Sequence, residues 1–170
     1  MLIVEAEAID ASAVTEIIRL CVAQMRAAGI LQWDEIYPDH AVIADDIRAG
    51  TLYVVREEGR AVAAICLNEV QPDEYRDVPW RCRRGRVLVV HRLCVHPDWQ
   101  AHGLARRLMD FAEQHARDRG YACIRLDAYT QNPRAMAIYE KRGYVAAGRT
   151  RFPRRPLPFL CFELALGEPK

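Results

Sequence analysis

The stretch Gln100-Ala101-His102-Gly103-Leu104-Ala105 lies between an apolar run, Arg86 to Val95, and an amphipathic run, Gly103 to Arg119. The first run is typical of a buried strand, and the second has the spacing of a helix. A strand that feeds a short glycine-containing turn at a helix start leaves backbone N–H groups unpaired beside the positive end of the helix dipole. The stretch therefore predicts an anion site, most naturally one for a diphosphate.

The residue types within this turn suit close contact with phosphate. Gly103 lacks a side chain, so a diphosphate can approach the backbone and unusual dihedral angles are tolerated. The N–H groups of residues 101–106 are the expected donors, and Ala105 is small enough to let the helix pack near the strand. His102 and Arg106 add donors or positive charge. The structural alternative is an ordinary strand-to-helix turn with glycine at its start.

The composition favours one globular domain, residues 1–170, with an ample core and no dominant charge. Hydrophobic residues make up 51% of the chain, and 24 Lys plus Arg face 23 Asp plus Glu, so nucleic acid is not an expected partner. No apolar run reaches the roughly 18 residues of a membrane span. Glu5 and Glu7 stand where a secretory signal would be basic and then apolar. We therefore expect no membrane association and a cytoplasmic location.

The six cysteines are scattered without a C-x-x-C pair, and most lie inside apolar periodic segments. This pattern predicts buried thiols rather than disulfides or ligands, and no metal site. The cysteines are Cys21, Cys66, Cys82, Cys94, Cys123 and Cys161.

Hydrophobic periodicity predicts alternating strands and helices. Strands are expected at residues 2–8, 51–56, 61–70, 86–95, 122–128, 144–150 and 158–166. Helices are expected from Asp10, as the capping residue, to Gly29, from Pro38-Asp39 to Gly50, and over 103–119 and 132–142. The second and third strands form a hairpin, whereas the fourth and fifth are joined by a helix and must be parallel. Residues 71–85 form the longest irregular segment, and loops of that length are commonly functional.

Two motifs carry a resemblance to a known family. The first reads Gln100, Gly103 and Ala105, with two residues and then one between them. The second is Asn132-Pro133-Arg134-Ala135-Met136-Ala137-Ile138-Tyr139, followed by Gly143-Tyr144. Together with the order of elements, they closely resemble the GNAT superfamily of acyl-CoA-dependent N-acyltransferases over nearly the whole chain. The first motif matches the family's phosphate-binding signature, and the second its cofactor-side helix.

The resemblance implies an α/β fold with a mixed, mostly antiparallel sheet, flanked by helices, whose central parallel strand pair splays apart for coenzyme A. It implies acetyl-CoA as co-substrate, no metal, and direct transfer of acetyl to a primary amine in a ternary complex. A backbone N–H near Cys94 would polarise the thioester. Asn132 would bind the cofactor or simply cap its helix. The expected cofactor-binding residues are Leu93, Cys94, Val95, Gln100, Ala101, His102, Gly103, Leu104, Ala105, Arg106 and Asn132.

Acyl transfer to an amine needs an acid for the departing thiolate and a base for the ammonium proton. Tyr139 matches the tyrosine that many relatives use as general acid, the alternative being a core tyrosine with its hydroxyl at the rim. Asp127 lies where some relatives carry an acidic base, the alternative being an ion pair with Arg125 or another arginine. His91, with an ordinary pKa of about 6.5, is the second base candidate. On strand alternation His91 shares a face with Val89, Leu93 and Val95, and a hydrogen-bonded core histidine is its alternative. Some relatives use water chains instead of a side-chain base.

The resemblance places Trp33, Tyr37 and Tyr129 where the family recognises its acceptor, a small-molecule or peptide amine that the sequence does not identify. An aromatic that covers a helix end is the alternative for Trp33 and Tyr37. The last strands are candidates for a homodimer contact. Two other functions stay open: a non-catalytic module that senses coenzyme A, and an acyltransferase that uses a longer acyl-CoA.

Overall fold

Seven strands and four α-helices make up the part of the chain described by the computed structural model, residues 1–167. The strands are β1 Ile3–Glu5, β2 Leu52–Glu57, β3 Arg60–Asn68, β4 Val87–Val95, β5 Cys123–Tyr129, β6 Val145–Thr150 and β7 Phe159–Ala165. The helices are α1 Ala11–Ala27, α2 His40–Arg48, α3 Leu104–Asp118 and α4 Pro133–Lys141. Every predicted element is present. Within the same residues, no helix has the length and apolar character needed to cross a bilayer.

The strands are ordered β1-β2-β3-β4-β5-β7-β6 in one sheet. Among the strands of residues 1–167, β4 and β5 are the one parallel pair, and Val87–Val89 lie opposite Cys123–Arg125. The helix α3 joins these two strands, because a parallel pair needs a long crossover connection. The predicted mixed and mostly antiparallel sheet is confirmed.

The chain divides into two compact units, and the first comprises residues 1–28, 33–68 and 90–112. In this unit the apolar face of α1, including Val14 and Ile17, packs into a core with residues of β2 and β3. Asp39 begins α2 as predicted, since its carboxylate accepts the N–H of Val42 at 2.9 Å.

Asp10 immediately precedes α1, but the prediction that its side chain caps the helix is wrong. The Asp10 carboxylate accepts instead from the N–H of Glu7 at 2.8 Å and from the guanidinium of Arg56 at 2.7 Å and 3.1 Å. Only 2% of the Asp10 side chain is exposed, so a charged partner on β2 satisfies a carboxylate that water barely reaches.

The second unit comprises residues 29–32, 69–89 and the chain from Glu113 onward. Strand β7 pairs antiparallel with both β5 and β6 there. The irregular segment 71–85 contains one 3₁₀ turn, Asp73–Tyr75, and is held in place by side-chain hydrogen bonds. Trp80 Nε1 donates to the carbonyl of Tyr75 at 3.0 Å, and Thr150 Oγ1 donates to the carbonyl of Glu74 at 2.6 Å. A long loop held in this way keeps a defined shape without a helix or strand.

All six cysteines are free thiols, and five of them are buried, as predicted. Cys82 is the exception, because it lies in the irregular segment 71–85 and is partly exposed.

Candidate active site

The turn predicted before α3 is formed in the first unit by residues that follow a 3₁₀ turn at Pro97–Trp99, and its binding of an anion stays a prediction. Two of them adopt left-handed backbone conformations: Ala101 with φ of 64° and Gly103 with φ of 79°. The strained conformation of Ala101 was not foreseen, since alanine carries no signal for it. A Cβ built on Gly103 would have a guanidinium nitrogen of Arg106 as its nearest neighbour, at 3.7 Å. Position 103 therefore requires glycine because of its positive φ, whereas the surrounding protein leaves enough space for a Cβ.

The N–H groups at the start of α3 are available as donors. The first bond that runs from the helix back into the turn is from the N–H of Arg107 to the carbonyl of Gly103, at 3.1 Å. The N–H groups of residues 104–106 consequently have no acceptor within the helix. The side chains of His102 and Arg106 are exposed beside them. The turn thus presents donors and positive charge to solvent, as an anion site must.

The side chain of Gln100 supports this turn from within the protein. Its amide nitrogen donates to Gln24 Oε1 on α1 at 2.8 Å and to the carbonyl of Val95 at 3.2 Å. Gln100 therefore links the last residue of β4 to α1, which fixes where the turn begins.

The end of β4, where the cofactor-binding residues Leu93, Cys94 and Val95 are expected, follows an irregularity at Arg92. Arg92 has φ of 49°, although it lies inside a strand. Its guanidinium makes a two-pronged ion pair with Asp46 at 2.6 Å and 2.8 Å. Alternation of faces does not continue through a left-handed residue. The expectation that His91 shares a face with Leu93 and Val95 is therefore wrong.

His91 lies just before this irregularity and is half-buried. Its Nε2 is 3.0 Å from Oδ1 of Asn68 on β3. This contact fits the alternative of a hydrogen-bonded structural histidine.

Asp127, on β5 in the second unit, accepts a hydrogen bond from the hydroxyl of Tyr75 at 2.6 Å. The protein atoms packed around Asp127 desolvate it and raise its pKa to about 6, although the bond from Tyr75 acts in the opposite direction and the charge of Glu74 adds to the rise. The alternative of an ion pair with Arg125 is wrong. The Tyr75 contact was not foreseen, because 52 residues separate the two.

Arg125 instead lies in a buried network with residues of β7 and of the irregular segment 71–85. Its Nε is 3.3 Å from a carboxylate oxygen of Glu163, and its terminal nitrogens donate to Gln71 Oε1 at 2.6 Å and to the carbonyl of Cys82 at 2.7 Å. The guanidinium also stacks 4.3 Å above the ring of Trp80. One arginine therefore holds several points of the segment 71–85.

Tyr139 is buried on α4, with 7% of its surface exposed, and its ring lies 5.9 Å from that of Tyr144 and 5.8 Å from that of Phe162. Burial, together with the nearby charge of Asp127, raises the pKa of Tyr139 well above its ordinary value. The hydroxyl consequently keeps its proton at neutral pH, which a general acid requires.

Asn132 begins α4 as a capping residue. Its Oδ1 accepts the N–H of Ala135 at 3.2 Å, and its Nδ2 donates to Gln32 Oε1 at 2.9 Å. The capping alternative is therefore realised, and a contact with cofactor stays a prediction.

The three aromatic residues expected at the acceptor differ in exposure. Trp33 packs against the core of the first unit, which fits the covering role. Tyr37 is exposed, and its hydroxyl accepts from Arg92 at 3.0 Å. Tyr129 is completely buried beside Phe159, and its hydroxyl has no hydrogen-bond partner among residues 1–167. A direct contact between Tyr129 and an acceptor would require this side chain to become accessible.

Sequence comparison identifies a family and a curated relative. A sequence model of the Acetyltransferase (GNAT) family matches residues 16–144. A curated protein of Bacillus subtilis, S-(2-succino)cysteine N-acetyltransferase, is 27% identical over 143 residues, which span 82% of this chain and 81% of the relative.

Solved structures share the fold. A GNAT-family acetyltransferase from Streptococcus agalactiae superposes with a TM-score of 0.82 at 23% identity, covering 96% of this chain and 94% of the other. An acetyltransferase from Salmonella typhimurium, solved with its cofactor acetyl-CoA, superposes with a TM-score of 0.73 at 20% identity, covering 99% and 95%. Both confirm the α/β architecture.

Proposed function

The chain belongs to the Acetyltransferase (GNAT) family, and from this premise we propose that it transfers an acetyl group from acetyl-CoA to a primary amine by direct attack in a ternary complex. The observation that carries the proposal is the turn before α3, where a left-handed Gly103 and the free N–H groups of residues 104–106 suit a diphosphate. The relative from Salmonella typhimurium supports acetyl-CoA as the donor.

In this proposal the first unit holds the donor. The N–H groups of residues 101–106 bind diphosphate oxygens, with Arg106 adding charge and His102 lying exposed beside them. The backbone of Leu93, Cys94 and Val95 pairs with the extended pantetheine arm as if with another strand. The N–H near Cys94 polarises the thioester carbonyl and stabilises the oxyanion that forms during attack.

Asp127 is the base that we favour. An alkylammonium with a pKa of about 10.4 leaves roughly one molecule in a thousand as free amine at neutral pH, so a proton acceptor is needed. A carboxylate whose pKa is about 6 is still ionised at neutral pH and is a stronger base than an ordinary aspartate. His91 is the less suitable candidate, because Asn68 already engages its Nε2.

Tyr139 is the proposed general acid. Its hydroxyl carries a proton at neutral pH and supplies it to the thiolate as that group departs. The ammonium loses two protons in all. Asp127 accepts the first and later releases it to solvent, Tyr139 gives its own proton to the thiolate, and the second ammonium proton, lost as the amide forms, restores the Tyr139 hydroxyl.

The acceptor belongs to the same proposal. Because a relative at 27% identity is an S-(2-succino)cysteine N-acetyltransferase, amino acids with modified side chains are the first amines to test. We further propose that residues 1–170 act as one acetyltransferase domain, in the cytoplasm, without a metal.

Two measurements test the proposal. Gly103→Val introduces a β-branched residue at a left-handed position and should abolish acetyl-CoA binding in calorimetry. Gly120→Val is the matched control, because Gly120 also has a positive φ, 68°, and lies outside the turn. Unchanged affinity in Gly103→Val would refute the assignment of the turn. Release of CoA thiol is then followed with a panel of amines; binding of coenzyme A without turnover of any amine would identify a sensor.

A further inference from the structure

Two cysteines of the second unit lie close together beside a carboxylate. The Sγ atoms of Cys82 and Cys123 and an oxygen of Glu163 all lie within 4.8 Å of one another. Cys82 belongs to the irregular segment 71–85 and is partly exposed, whereas Cys123 is the buried first residue of β5. The two thiols therefore belong to separate parts of the chain that meet at this point.

The backbone of Cys82 is held in place on both sides. Its N–H donates to the two oxygens of Glu163 at 3.2 Å and 3.1 Å, and its carbonyl accepts from Arg125 at 2.7 Å. Glu163 is itself on β7, which pairs with β5. The same ion pair that fixes the loop thus keeps one thiol beside the other.

A metal ion fits this cluster poorly, although its three ligand atoms are close enough to share one. Glu163 already accepts the N–H of Arg81 at 2.9 Å and lies 3.3 Å from the guanidinium of Arg125. A cation bound there would face a buried positive charge and would have to displace these donors. The two thiols alone offer a different chemistry, namely joining to each other.

We propose that Cys82 and Cys123 form a reversible disulfide that fastens the segment 71–85 to the start of β5. The oxidant is a small disulfide such as oxidised glutathione. The thiolate of Cys82 attacks one of its sulfurs and releases one glutathione thiolate. Cys123 Sγ then attacks Cys82 Sγ, and the proton of Cys123 goes to the second glutathione sulfur as it departs. The protein loses two electrons, and the oxidant gains two.

The order of these steps follows from the surroundings of each sulfur. Cys82 is the thiol that a small disulfide in solution can reach. Burial, with contributions from Cys82 and Glu163, raises the pKa of Cys123 far above its ordinary value. Cys82 therefore attacks first, and Cys123 completes the exchange from its buried position. The proposal does not depend on acetyl transfer.

In the test, the folded chain is incubated with mixtures of reduced and oxidised glutathione. The thiols that remain are then blocked with an alkylating reagent, and the peptides of a digest are identified by mass spectrometry. The expected product is a peptide pair joined through Cys82 and Cys123, about 2 Da lighter than the reduced pair and restored by dithiothreitol. In Cys123→Ser the glutathione adduct on Cys82 should persist. Cys21→Ser, which removes a buried thiol of α1, is the matched control and should leave the cross-link unchanged.

Three results would overturn the proposal. One is an unmodified Cys82 in oxidised glutathione. Another is a wild-type chain that stops at the glutathione adduct, because Cys123 then fails to complete the exchange. The last is a stoichiometric zinc ion in the purified chain that protects both thiols and is lost in Cys82→Ser.

Discussion

Replacing Tyr75 by phenylalanine removes the hydrogen bond that Asp127 accepts at 2.6 Å while keeping the ring that packs 5.0 Å from Trp80. That bond stabilises the ionised form of Asp127, so its loss raises the pKa of the carboxyl group above the present value of about 6. If Asp127 is the base, the acidic limb of the pH–rate profile must move to higher pH.

The size of this shift follows from the bond. A hydrogen bond to a charged group contributes about 1.5–3 kcal/mol, and about 1.4 kcal/mol corresponds to one pKa unit. Because a part of the Asp127 surface is exposed, water replaces part of the lost bond, and we expect a pKa shift of about one unit, from about 6 to about 7. The variant should then be about threefold slower than the wild type at pH 6.5 and nearly equal to it above pH 8.

Other titratable groups around Asp127 stay in place in this variant. Glu74 adds to its raised pKa, and the Asp127 charge contributes to the raised pKa values of buried Tyr139 and of Cys161, the latter about 12. Among these groups the carboxyl of Asp127 is the one whose raised pKa lies near 6, which assigns the limb to it.

The assay measures kcat/KM for the amine at saturating acetyl-CoA, from pH 5 to pH 9, by release of CoA thiol. Tyr144→Phe is the matched control, because the hydroxyl of this buried tyrosine has no hydrogen-bond partner among residues 1–167, and its removal should leave the limb at about 6. An unmoved limb in Tyr75→Phe, or one that moves to lower pH, would exclude Asp127 as the base.

The other predictions concern the acid and the stability of the first unit. Tyr139→Phe should lower turnover by about tenfold or more in steady-state kinetics and leave the acetyl-CoA affinity within a few-fold in calorimetry. Tyr144→Phe is again the control, and equal turnover in Tyr139→Phe would exclude Tyr139 from the mechanism. Arg56→Met should lower the free energy of unfolding in urea by about 2–3 kcal/mol at pH 7, because it leaves the Asp10 carboxylate buried without its partner. Burial raises the pKa of Asp10, but the hydrogen bonds from Arg56 and from the N–H of Glu7, together with the charge of Arg56, outweigh burial and lower the net pKa. The contribution of this pair to stability is therefore present at neutral pH and lost as the pH falls through that lowered pKa. Arg48→Met, in an exposed pair, should have no measurable effect, and an equally small loss in Arg56→Met would refute the argument.

The sequence was sufficient for features that depend on neighbours along the chain. The turn at Gly103 and the capping role of Asn132 each rest on a few consecutive residues, and both are present in the structure. The parallel pairing of β4 and β5 also follows from local information, since a helix of the length of α3 between two strands permits little else.

Features that depend on distant partners were missed or misassigned. For Asp127 the sequence left an ion pair with Arg125 or another arginine open beside the role of base, and it gave no sign of the contact with Tyr75 in the irregular segment. Asp10 was given a local capping role, whereas Arg56 on β2 takes its carboxylate. A carboxylate with little access to water needs a strong hydrogen-bond donor close to it, and the folded structure determines which donor that is. The hydrophobic periodicity of the sequence does not identify this donor.

The bracing of the turn by Gln100 has a consequence for binding kinetics. Since its amide ties the end of β4 to α1 without any ligand, the donors of residues 104–106 are preorganised. A diphosphate that arrives there loses little affinity to ordering the backbone. Gln100→Ala should accordingly make the turn at residues 100–106 more mobile and slow the association of acetyl-CoA. Amide hydrogen exchange in that turn should be faster than in the wild type even without cofactor.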